Sequence, residues 1–110
     1  MTKVTIYRNS KKECVGFKAV DHAGYAEEGE DIVCAAISIL TINTMNAIES
    51  FTKVNSLLET DEMQGFIEYK LLDKPTKETT LLLDTMVLGL QAMVDDENYA
   101  DYIDLKFEEV

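Results

Sequence analysis

Apolar and polar residues alternate from Lys3 to Arg8, where Val4 and Ile6 share a face, and again from Cys14 to Val20, where Val15, Phe17 and Ala19 do. A period of two predicts half-buried strands, because successive side chains leave a strand on opposite faces. Asn9, Ser10, Lys11 and Lys12 lie between them, so an antiparallel hairpin is expected, although no Asn-Gly pair fixes its turn type. The period then changes. From Asp31 to about Phe51, Val33, Ala36, Ile37, Leu40, Ala47, Ile48 and Phe51 recur at helical spacing, and the first half is apolar on nearly every side. This predicts a buried central helix. Thr52 to Glu62 is polar and mixed, and alternation returns from Met63 to Leu72, with Ile67, Tyr69 and Leu71 opposite Phe66, Glu68 and Lys70. Pro75 closes the connection, and Thr76 is a suitable N-cap for a helix to about Asp95 with a stripe of Leu83, Met86, Val87, Leu90 and Val94. A last strand follows from Tyr102 to Phe107, carrying Ile103, Leu105 and Phe107 on one face. The expected order is β-β-α-β-α-β. About four strands with two helices on one face make an α+β fold, a two-layer α/β sandwich, whose strand order the pattern does not specify.

Length adds one domain spanning residues 1–110, with one proline and 46% apolar residues. No apolar run approaches the roughly 20 residues of a membrane span, and no signal-peptide core opens the chain, so a cytoplasmic location without a membrane partner is expected. The net charge of -11 argues against direct nucleic-acid binding, which needs clustered Lys and Arg, and favours a basic protein or peptide. Two cysteines exclude a disulfide scaffold, and no Cys-x-x-Cys points to redox chemistry.

The unusual chemistry is confined to Asp21-His-Ala-Gly-Tyr-Ala-Glu-Glu-Gly-Glu-Asp-Ile-Val-Cys-Ala-Ala-Ile-Ser38. Here a glycine-bracketed acidic loop joins the sole histidine to a cysteine in the apolar helix. With Asp31 as N-cap, Cys34 enters the first helical turn, where unpaired amides would lower its pKa and accept an oxyanion. Ser38, four residues on, shares its face. Gly24 and Gly29 let the intervening loop act as a lid over substrate, with Tyr25 at its middle. A nucleophile, a base and a lid result. The plainer readings are a core cysteine, a solvated histidine, a capping Asp31 and a Ser38 bonded back to a carbonyl. Cys14, in strand alternation, is read as structural. His22, Cys34 and Asp31 fall short of the four ligands of a tetrahedral zinc site, so no metal and no cofactor is expected.

His22-Ala-Gly, the loop to Gly29, and Asp31-Ile-Val-Cys-Ala-Ala-Ile-Ser38 resemble the signature of the ribosomal-processing cysteine protease family, Prp, and the element order agrees along the whole chain. The resemblance implies a catalytic dyad of His22 as general base and Cys34 as nucleophile, with Asp31 and Ser38 at supporting positions. Gly24, Tyr25, Gly29 and Ala35 are the expected substrate contacts. It further implies a homodimer that removes the N-terminal extension of a basic large-subunit ribosomal protein, the one numbered twenty-seven. Where that family usually has glycine before its histidine, this chain has Asp21. A non-catalytic, ribosome-associated module that holds a peptide in the same groove is the alternative reading, and an activated thiol distinguishes the two.

Overall fold

The computed structural model describes residues 1–21 and 28–110. Strands β1 (Thr2–Arg8) and β2 (Cys14–Asp21) form the expected hairpin, paired antiparallel from Thr2 opposite Asp21 to Arg8 opposite Cys14. Asn9 builds the turn: its side-chain Oδ1 accepts from the backbone N–H of Lys11 and of Glu13, both at 3.0 Å, while Lys12 takes a left-handed φ of 63°. One register shift corrects the sequence reading. Tyr7 pairs with Gly16 and Arg8 with Cys14, so Val15 is an extra, bulged residue. A bulge moves the following side chain to the opposite face. Cys14 is therefore buried on the core side, where unbroken alternation had put Val15.

Helix α1 (Glu28–Phe51) follows, then β3 (Ser56–Asp61), a 3-10 turn at Glu62–Gln64, and β4 (Phe66–Leu71). Helix α2 (Lys77–Asp95) and β5 (Ile103–Glu109) complete the chain. Among the described residues the sheet therefore has five strands, in the order β3-β4-β2-β1-β5, one more than expected. The additional strand is β3, an edge strand whose six residues are all exposed. With both faces in water it carries no alternation, and only its pairing with β4 defines it. The other edge, β5, runs parallel to β1.

Directly paired residues share a face, so Val4 with Ala19, Ile6 with Phe17, Phe17 with Tyr69 and Thr2 with Ile103 define one apolar surface. Val33, Ile37, Met45 and Ile48 of α1 and Leu83, Met86 and Leu90 of α2 complete a single buried cluster with it. Both helices thus lie on one face of the sheet, as the α+β reading requires. Helix α2 starts as expected, with a capping box: Thr76 Oγ1 accepts from the Thr79 N–H at 3.2 Å and Thr79 Oγ1 from the Thr76 N–H at 2.9 Å.

Helix α1 departs from expectation in two ways. It begins at Glu28, so Asp31 is an interior, exposed helical residue rather than the N-cap. In addition, Asp31–Phe51 is long and apolar enough, with a mean hydropathy of 1.5, to cross a membrane by length and composition. The sequence reading counted unbroken apolar runs, which Ser38, Thr41 and Asn43 interrupt, whereas a mean over the helix is carried by its many Ile, Val, Leu and Ala residues, and serine and threonine lower it little. The apolar character of α1 is used in part by the core, through Val33, Ile37 and Ile48, and its buried hydroxyls are satisfied within the helix. Thr41 Oγ1 donates to the Ile37 carbonyl at 2.8 Å and Thr44 Oγ1 to that of Leu40 at 2.7 Å. Ile39 and Ile42 remain on the outside.

Candidate active site

Residues from helix α1 and four strands meet where β2 ends. Cys34, Ser38 and Thr41 recur at positions i, i+4 and i+7 of α1 and so stand on one face, with Ile37 beside them. That face forms one wall of a cavity of about 270 Å³. Phe66 and Ile67 of β4 supply apolar surface opposite, and Asp61 and Glu62, where β3 passes into its turn, add acidic groups. Thr2 and Asp21 close the end. Alternation predicted the strand that carries Phe66 and Ile67, but its place beside α1 follows from a strand order that periodicity does not specify, and β3 carries no periodic signal at all.

The thiol of Cys34 is partly buried, and its Sγ donates to Asp21 Oδ2 at 3.2 Å. Removal from water is the largest influence on it, followed by the Asp21 carboxylate as acceptor and as charge; together these push its pKa up to about 11. A hydrogen bond from Ser38 acts in the opposite direction, and the charge of Asp31 adds to the rise. The expected acidification by a helix N-terminus does not occur. Cys34 lies nearly two turns inside a helix that starts at Glu28, beyond the reach of the end effect. The amides of Cys34, Ala35 and Ala36 also lie inside the helix, where backbone donors face the carbonyl four residues back, so they are not free to hold an oxyanion.

Of the predicted site residues, Cys34 and Ser38 come together on the cavity wall, and Asp31 acts on the thiol only as a charge one turn away. Ala35 is exposed on α1, apart from the cavity lining, and Gly29 is in the first turn of that helix. His22, Gly24 and Tyr25 lie outside the described residues. Asp21 is the polar partner that spacing alone did not assign to the thiol. It sits thirteen positions before Cys34, and only the strand-to-helix packing joins them. Among the described residues, no three His, Cys, Asp or Glu side chains converge as a metal site would.

Residues 1–104 match the family described as Cysteine protease Prp. The chain belongs to the Prp family. It is 28% identical over 100 residues to the ribosomal processing cysteine protease Prp of Bacillus subtilis (strain 168), covering 87% of this chain and 89% of that one. The fold is similar to crystal structures of the essential ribosomal processing protease Prp from S. aureus. One, in complex with a substrate peptide, has a TM-score of 0.89 at 28% identity and covers 98% of this chain and 100% of its own. Another, with a covalently linked product peptide, has a TM-score of 0.84 at 30% identity and the same coverage. The protein is accordingly a Prp-type cysteine protease. As a member of the Prp family, it has a catalytic thiol to account for, and Cys34 is the cysteine that lines the cavity, whereas Cys14 is buried in the core.

Proposed function

We propose that this protease removes the N-terminal extension of the basic large-subunit ribosomal protein numbered twenty-seven, with Cys34 as nucleophile and His22 as general base. The observation that carries this reading is the placement of the Cys34 thiol on the wall of an apolar cavity with an acidic margin, in a chain of the Prp family. Ile37, Phe66 and Ile67 suit apolar side chains beside a scissile bond, and Asp61 and Glu62 suit a basic flank. The net charge of -11 favours encounter with a basic partner.

In the reaction, the Cys34 thiol gives its proton to the His22 imidazole as sulfur attacks the scissile carbonyl carbon. The resulting tetrahedral intermediate collapses, the C–N bond breaks, and His22 returns the proton to the leaving amine. Water, deprotonated by the same imidazole, then hydrolyses the thioester and restores the thiol. The Asp21 carboxylate against the sulfur favours the protonated thiol, so His22 takes the proton during attack. Ser38 donates to the sulfur as negative charge develops. Gly24, Tyr25, Gly29 and Ala35 are assigned to contacts with the extended peptide. The enzyme works in the cytoplasm as a homodimer.

The test is cleavage of a peptide spanning that extension. His22→Ala lowers kcat/KM by about 10²–10⁴-fold, the usual contribution of a positioned acid–base group. An unchanged kcat/KM in that variant removes His22 from the mechanism.

A further inference from the structure

Asp21 is held from several sides. Its backbone N–H donates to the Gly65 carbonyl at 3.0 Å, and its Oδ1 accepts from Thr2 Oγ1 at 3.3 Å. Gly65, at a left-handed φ of 59°, lies so close that a Cβ built on it would stand 2.9 Å from Asp21 Cβ. The last residue of β2 is thereby fixed by the start of β1 and by the turn before β4, with its remaining oxygen, Oδ2, against the Cys34 sulfur at 3.2 Å. An ionised carboxylate only accepts hydrogen bonds, so this contact requires the protonated thiol. A thiolate in its place would set two anions in contact. Among the described residues, the other charged groups near the thiol do not offset this: Asp31 on α1, and the cavity-lining Asp61 and Glu62 at the end of β3, are all acidic. Only the Ser38 hydroxyl, among the described residues, favours the anion.

We propose that Asp21 is a positioning residue that latches the nucleophile, accepting the Cys34 S–H in the free enzyme so that the thiol stays protonated until substrate arrives. The inference rests on Cys34 being the nucleophile. The proton engaged with Oδ2 is the one that must pass to His22 before sulfur bonds to carbon, so the latch opens in the same step that generates the attacking sulfur. In the free enzyme it protects the thiol from oxidation and alkylation, which act on the thiolate.

The test is the rate of iodoacetamide labelling of Cys34 across pH 6 to 11, read by peptide mass mapping that separates it from Cys14, in wild type, Asp21→Asn and Asp21→Ala. Each unit of fall in thiol pKa raises the thiolate fraction about tenfold below the midpoint, while the weaker nucleophilicity of a more acidic thiol returns about threefold of that. Labelling at pH 8 therefore rises about threefold or more in both variants, and the midpoint moves to lower pH. Unchanged rates and midpoints in both overturn the latch. A variant that does not fold leaves the wild type to decide: a Cys34 13Cβ titration with its midpoint at or below about pH 8, the range of a free thiol, overturns it too. Peptide cleavage retained by Cys34→Ala removes the nucleophile itself, whereas cleavage lost there with labelling unmoved in the Asp21 variants rejects the latch alone.

Discussion

Replacing Cys34 by alanine brings peptide cleavage to background and leaves the protein folded. The two effects separate because the side chain does different work in chemistry and in packing. In catalysis the sulfur forms the covalent intermediate, and in a serine protease that works through the same acyl-enzyme logic removal of the nucleophile costs on the order of 10⁶ in kcat. In the fold, Cys34 is only partly buried, on the solvent side of the stripe formed by Val33, Ile37 and Ile48. Alanine is the best helix former, and its introduction also relieves Asp21 of a thiol contact that carries little net stability. Urea unfolding of Cys34→Ala is expected within about 1 kcal/mol of wild type, as for other changes that create no buried cavity. Cleavage by the variant at even a hundredth of the wild-type rate would show that another group performs the attack.

Phe17→Ala has the largest expected effect on stability. Phe17 is 0% exposed at the middle of β2, the central strand, paired with Ile6 on one side and Tyr69 on the other. Its ring lies 5.6 Å from that of Tyr69 at a tilt of 31°, a favourable aromatic contact. Truncation removes most of a buried ring and leaves a cavity that the sheet cannot close, because both neighbouring strands are pinned by their pairing. A loss of about 3–5 kcal/mol follows, against the 5–15 kcal/mol of total stability usual for a domain. The urea midpoint should fall with little change in slope, and a loss under about 1 kcal/mol would contradict the central place given to this residue. Asp21 lies four residues further along the same strand. Loosening β2 therefore also loosens the carboxylate beside the thiol.

What the sequence makes legible follows from where signals are local. Strand β1, helix α2 with its Thr76 cap, and the core stripe of α1 are written in periodicity and in capping chemistry, which act within a few residues. Strand β3 is invisible to the same reading, since an edge strand exposed on both faces is defined by its partner. The bulge at Val15 exchanges the faces of Cys14 and Val15, and only the register against β1 reveals it. The start of α1 at Glu28 rather than Asp31 has the widest consequence. Acidic residues suit any position of a first turn, so Asp31 read equally well as a cap, and the three added residues carry Cys34 away from the free amides. In the candidate site, Cys34 and Ser38 follow from helical spacing. The cavity wall of Phe66 and Ile67, and the hold of Gly65 and Thr2 on Asp21, arise from strand pairing between distant segments.

The central claim, processing of a ribosomal-protein extension, is tested most directly by mass spectrometry of the purified wild-type protein incubated with a peptide spanning that extension, beside a scrambled peptide of the same composition. The account predicts one cut in the first peptide, releasing the extension at a single bond, and none in the scrambled one. An intact extension peptide, or equal cutting of both, would contradict it.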